Sequence, residues 1–189
     1  MAILGGGPSL TPSQVEASKR LGRVVAVNNA YRLAPGADVL WFCDQRWWEW
    51  HRARPEFVAF AGIKATLENR HLLGQEPGLL CFRNDGVQGL CLEADGVRSG
   101  SNSGYQALNL AVNMGARRIL LLGFDMRAVK GRANWHDDHK IRMPESVFAR
   151  MLDNYRTIVE PLRKLGVEVT NCTAGSALTL FPFADVEDM

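Results

Sequence analysis

Gly5-Gly6-Gly7-Pro8-Ser9 closes the short apolar run Ala2–Leu4. Glycines at such a point let backbone N–H groups approach an anion, and Ser9 can add a hydroxyl donor. No Gly-Lys-Ser/Thr follows, so this is not a Walker loop; position 10 is Leu10, so it is not G-x-G-x-x-G either. A tight strand-to-helix turn would have the same composition. A second cluster, Ser101-Asn102-Ser103-Gly104, stands where a helix should start. It suits helix capping and anion binding equally, because unpaired N–H donors and a partial positive charge meet there. Asn28 follows one apolar run, and its amide can form a turn or read a base edge. Asp44 and Asp125 each end another, as capping carboxylates, ribose acceptors or magnesium ligands.

The stretch Arg127–Arg142 carries Arg127, Lys130, Arg132, Lys140 and Arg142 against Asp137 and Asp138. It reads as a solvated loop or as a lid over 126–143 that neutralises phosphate and excludes water. His136 and His139 lie inside it. Two histidines three apart without a third ligand make a poor zinc site, so no metal site is assigned. A general base is the better chemical use, with a surface histidine beside acids as the alternative. Trp41, Trp47, Trp48 and Trp50 crowd into ten residues, interleaved with Arg46, His51, Arg52 and Arg54. Core packing of a short amphipathic helix accounts for them better than base stacking.

These residues need strands and helices to hold them. Ala2–Leu4, Val24–Val27, Val39–Cys43, Ile119–Leu122 and Val167–Thr170 read as buried strands. Phe57–Phe60, Ile63–Leu67 and Leu79–Phe82 read as further short ones, and Gly86–Gly100 as turns. Thr11, Pro12 and Gln14 punctuate a helix start, with Gly22 after its end. Arg46–Arg54 predicts a short helix stopped by Pro55. A third helix begins after Ser103 and closes at Gly115. The longest runs from about Pro144 to Leu165, kinked near Pro161. This alternation predicts an α/β, Rossmann-like three-layer domain with a mainly parallel sheet. Ligands then sit beyond the carboxyl ends of the strands, where the small and polar residues fall.

The chain has 189 residues with a net charge of +2, 47% hydrophobic and 22% charged. That fits a single domain over 1–189 with a core of its own and excludes intrinsic disorder. It gives no general nucleic-acid coat and no apolar run near the roughly 18 residues of a membrane span. Met1-Ala2-Ile3-Leu4 is not a basic, long apolar leader. Cys43, Cys81, Cys91 and Cys172 form no C-x-x-C pair and read as reduced and buried. The expectation is a cytoplasmic protein, compatible with a homo-oligomer.

Ile3–Leu10, ILGGGPSL, resembles the G-x-G-P-S-L opening of two related families. One comprises proteins similar to 6-hydroxymethylpterin diphosphokinase; the other is the bacterial CMP-sialic-acid-dependent sialyltransferases of glycosyltransferase family 42. The likeness continues through VVAVNNAY (Val24–Tyr31), ADVLWFCD (Ala37–Asp44) and SNSGYQALNLAVNMGARRILLLGFDM (Ser101–Met126), and is poorest at Arg46–Arg98. It implies a Rossmann-like fold holding a nucleotide at the strand ends. By that match Gly6, Gly7, Ser9, Asn28 and the turn of Ser101, Asn102, Ser103 and Gly104 would contact nucleotide. His139, with His136 second, would be the lid base that takes a proton from an acceptor hydroxyl while CMP departs. The sialyltransferase lid steadies the leaving phosphate with tyrosines, whereas Tyr31, Tyr105 and Tyr155 all lie outside 126–143. Arg127, Lys130, Arg132 or Trp135 would substitute.

The leading expectation is therefore a nucleotide-dependent transferase using a CMP-activated sugar, with a nucleotide or nucleotide-sugar as partner and no certain cofactor. Two rivals remain. A diphosphokinase-like enzyme would use ATP and magnesium, with Asp44 and Asp125 at the metal; a nucleotide-binding module would have no catalysis.

Overall fold

The computed structural model describes residues 1–68, 77–138 and 144–189. Eight strands form one sheet: β1 (Ala2–Leu4), β2 (Val24–Val27), β3 (Val39–Phe42), β4 (Ile63–Leu67), β5 (Leu80–Asn84), β6 (Gly96–Val97), β7 (Arg118–Leu122) and β8 (Glu168–Asn171). Their order is β6-β5-β4-β3-β2-β1-β7-β8, and every pairing is parallel. The helices are α1 (Pro12–Arg20), α2 (Gln45–His51), α3 (Pro55–Val58), α4 (Ser103–Asn113) and α5 (Glu145–Lys164).

Strand pleating divides the core into two layers. Ile3, Val25, Val27, Trp41, Ile119 and Leu121 pack on one face with Leu108 of α4 and Ile158 of α5. Ala2, Leu4, Ala26, Leu40, Phe42 and Leu122 pack on the other with Val15 of α1 and Trp47 of α2. The chain is thus an α/β, Rossmann-like fold with helices on both sides of a parallel sheet. No helix among the described residues is long and apolar enough to cross a membrane.

The punctuation residues act locally. Thr11 caps α1 in a complete capping box with Gln14, and Pro12 occupies the first turn. Asn102 caps α4. α5 runs unbroken through Pro161.

Three expectations need correction. Phe57–Phe60 is not a strand: Pro55 starts the single turn α3, and Phe57 and Phe60 both enter the same core layer instead of alternating. The turn-rich Gly86–Gly100 contains β6, whose two residues are too few to show a period. All four cysteines are free, but only Cys91 and Cys172 are buried; Cys81 is exposed because β5 lies near the sheet's outer edge.

Candidate functional site

β1 hydrogen-bonds to β2 on one side and β7 on the other, so strand order reverses there. Such a switch point opens a crevice at the carboxyl ends of the strands. A cavity of about 570 Å³ occupies it, walled by Gly5–Gly7, Asn28, Cys43, Asp44, Ser101–Gly104 and Asp125. Phe124, Val147, Phe148 and Met151 complete an apolar side. A second cleft of about 480 Å³ lies at the opposite edge, around Arg23, Asp38 and Gly62. There Asp38 accepts the Val24 N–H at 2.7 Å.

The glycine loop is built for close approach. Gly5 N–H donates to Leu122 O at 2.7 Å and Gly7 N–H to Gly123 O at 2.9 Å. A Cβ on Gly7 would fall 2.0 Å from Asp125 Oδ2 and 2.5 Å from Gly123 O. Two of the three glycine N–H groups therefore stitch β1 to β7. Gly6 N–H has no acceptor among the described residues. Ser9 does not line the cavity: its hydroxyl donates to Asp125 Oδ2 at 2.8 Å, and its N–H reaches the same atom at 3.3 Å. Asp125 is buried, and desolvation raises its carboxyl above the ordinary carboxylate value, while the Ser9 bonds pull it back.

The first turn of α4 supplies the opposite wall. Ser103 and Gly104 line the cavity, and their N–H groups have no acceptor among the described residues. Together with Gly6 they give three free donors around one space, which suits a phosphate. Asn102 faces the same cavity but is committed: Oδ1 accepts from Tyr105 N–H (2.9 Å) and Tyr155 Oη (3.1 Å). Ser103 Oγ lies 3.3 Å from Cys43 Sγ, and burial pushes that thiol's pKa up.

Asn28 holds a left-handed backbone (φ 50°), a region asparagine tolerates better than most residues. Its Oδ1 is buried without a hydrogen-bond partner among the described residues, although the residue borders the cavity. A buried amide oxygen in that condition costs about 1–3 kcal/mol unless a ligand pairs with it. Asp44 caps α2 through Oδ1, accepting from Arg46 N–H (2.8 Å) and Trp47 N–H (3.3 Å). Neither Asp44 nor Asp125 is a bare carboxylate.

The lid residues distribute differently from the expectation. Ala133 and Asn134 line the cavity; Arg127, Lys130 and Arg132 do not. Arg132 pairs with Asp137 at 2.8 Å, and the Arg127 guanidinium lies toward Gly175. His136 is also outside the cavity, its side chain 4% exposed, with Nδ1 accepting from Asp138 N–H at 3.3 Å. His139 lies outside the described residues.

Sequence reading assigns Trp47 to core packing and passes over Asn29, Gln106, Phe148 and Met151 as site residues. Trp47 belongs to the core, yet it borders the cavity and its Nε1 donates to Asn29 Oδ1. Gln106 accepts from Trp41 Nε1 at 3.0 Å. The Asn28-Asn29 doublet was the available signal for Asn29; Phe148 and Met151 gave only a helical apolar stripe.

The chain shares its fold with a sialyltransferase. One similar solved structure is that of CstII from Campylobacter jejuni, in complex with a substrate analogue, cytidine-5'-monophosphate. Identity is 14%, the TM-score is 0.58, and the match covers 98% of this chain and 85% of that one. No protein-family model matches the chain, and no curated protein matches it.

Proposed function

We propose that the chain binds a CMP-type nucleotide or nucleotide-sugar at the β1–β7 switch point and acts as a glycosyltransferase-like transferase. The observation that carries the nucleotide reading is the orphaned Asn28 amide beside three free N–H donors in one cavity. Protein atoms alone leave these groups unsatisfied, and a phosphorylated nucleoside offers both partners for the donors and polar edges for the amide. The cytidine preference draws support from the ligand in CstII.

In the transfer, an acceptor hydroxyl attacks the sugar's anomeric carbon. The bond from that carbon to phosphate oxygen breaks, and CMP leaves with the electron pair. The Gly6, Ser103 and Gly104 N–H groups stabilise its growing charge. A base takes the hydroxyl proton. His139 is assigned that role by the sequence resemblance alone, with His136 second.

One observation favours a binding module as a second reading: no histidine lines the cavity among the described residues, and His136 is tied into the lid. The diphosphokinase reading fits less well, since Asp44 and Asp125 already accept protein donors.

A thermal-shift panel of CMP, CTP, a CMP-sugar, ATP and GTP, with and without magnesium, separates the readings. A ligand at 100 times its Kd adds about 2.7 kcal/mol of stability. Stabilisation by cytidine compounds without magnesium is the expected result. Stabilisation by ATP plus magnesium alone overturns it. Binding without turnover of a CMP-sugar, unchanged by His139→Ala and His136→Ala, selects the binding module.

A further inference from the structure

The roof of the cavity is fastened at two points. On one side, Trp135 N–H donates to Gly6 O at 3.1 Å. On the other, Asn29 stands directly after Asn28, 1% exposed and absent from the cavity wall. Both ends of its carboxamide are engaged. Oδ1 accepts from Trp47 Nε1; Nδ2 donates to Asp138 Oδ2 at 2.7 Å and lies 3.3 Å from His136 Nδ1. Arg32 Nη1 reaches the same Asp138 oxygen at 2.8 Å, so the carboxylate is charge-paired. Ala133 and Asn134, the residues of 127–138 that border the cavity, directly precede the Trp135 fastening, and the Asn29 fastening follows it at His136 and Asp138.

We propose that Asn29 is a positioning residue that latches the lid segment over the cavity, setting nucleotide affinity without touching the ligand. This rests on the nucleotide reading above. One side chain joins the end of β2, the α2 tryptophan that borders the cavity, and the lid. Arg127, Ala128, Lys130, Gly131, Arg132 and Asp137 are all exposed, while Trp135 packs on the core layer of α1 and α2. The exposed part of such a segment opens locally at low cost, so the hydrogen bonds at 136 and 138 add to the Trp135 packing in holding it down.

Asn29→Asp tests the latch with almost no change of shape. It keeps the acceptor for Trp47 Nε1 but sets a carboxylate against Asp138. Adding Asp138→Asn gives that new carboxylate a donor again. Three quantities are read: tryptic cleavage after Lys130 and Arg132 in ligand-free protein, the Kd for CMP by calorimetry, and Tm. Asn29→Asp is expected to speed cleavage and weaken CMP binding roughly ten- to a hundredfold, the scale of losing a charge-assisted hydrogen bond. The second substitution is expected to restore most of both. Asp138→Ala, made on the half-exposed side, should act in the same direction and decides the matter if Asn29→Asp fails to fold. Unchanged cleavage and affinity overturn the latch, as does a loss that the second substitution does not rescue. If the unaltered protein binds neither CMP nor a CMP-sugar, the nucleotide reading falls, and the cleavage rates alone decide the latch.

Discussion

Behind the site, His51 should make stability depend on pH. It is 1% exposed, lies 2.9 Å from the Tyr31 hydroxyl through Nδ1, and stacks on Trp47 at 4.2 Å with the planes 10° apart. Its pKa is pushed down from 6.5 to about 4, first by desolvation and then by Arg54, with Arg32 and His136 adding and Asp138 opposing. Folding thus favours the neutral imidazole. The stabilisation is complete above pH 6.5 and is lost progressively as pH falls toward 4, where the unfolded chain binds the extra proton. The displacement of about 2.5 units at about 1.36 kcal/mol each gives a loss on the order of 3 kcal/mol across that window. Urea unfolding of the native chain and of His51→Phe at intervals from pH 7.5 to 4 isolates it. The phenylalanine keeps a ring on Trp47, leaves the Tyr31 hydroxyl without its partner, and removes the titration. The variant should be less stable by a constant amount above pH 6.5, and that deficit should shrink as pH falls toward 4, since every other titrating group is common to both chains. Parallel stability curves between pH 6.5 and 4 would refute the burial argument.

Two further substitutions separate binding from folding. Asn28→Gly retains the left-handed backbone but deletes the orphaned amide oxygen, so the ligand-free protein should gain the roughly 1–3 kcal/mol that oxygen costs, less about 0.5–1 kcal/mol of glycine entropy, while the CMP-induced Tm rise largely disappears. An unchanged Tm rise would remove Asn28 from the ligand. Gly7→Ala would force a methyl against Asp125 Oδ2 and Gly123 O; a stability loss of about 1–3 kcal/mol in chemical denaturation is expected, with the ligand response reduced, and a neutral result would contradict the close approach of the β1 and β7 loops.

The division of labour between sequence and tertiary structure is visible in particular residues. Val24–Val27 and Val39–Cys43 read as buried strands because residues covered on both faces must be apolar at every position, and that needs no knowledge of partners; β2 is Val24–Val27 and β3 stops one residue short, at Phe42. Thr11, Pro12 and Gln14 marked the start of α1 because capping bonds span only three residues. The strand-end placement of Gly5–Gly7, Asn28 and Ser103 likewise followed from local order.

What each polar group does with its hydrogen bonds was decided only by the fold. Ser9 and Asp125 are 116 residues apart, and their contact turns an expected anion donor and an expected ligand carboxylate into partners of each other. The lid cations were expected over phosphate because charge is legible in a sequence, but direction is not: Arg132 turns to Asp137, while Ala133 and Asn134 face the cavity. Asn29 gave no sign of its reach, since its lid partners are more than a hundred residues away. Periodicity and capping are short-range constraints that the chain carries residue by residue. Which donors remain free for a ligand depends on contacts that exist only once β1 and β7 lie side by side.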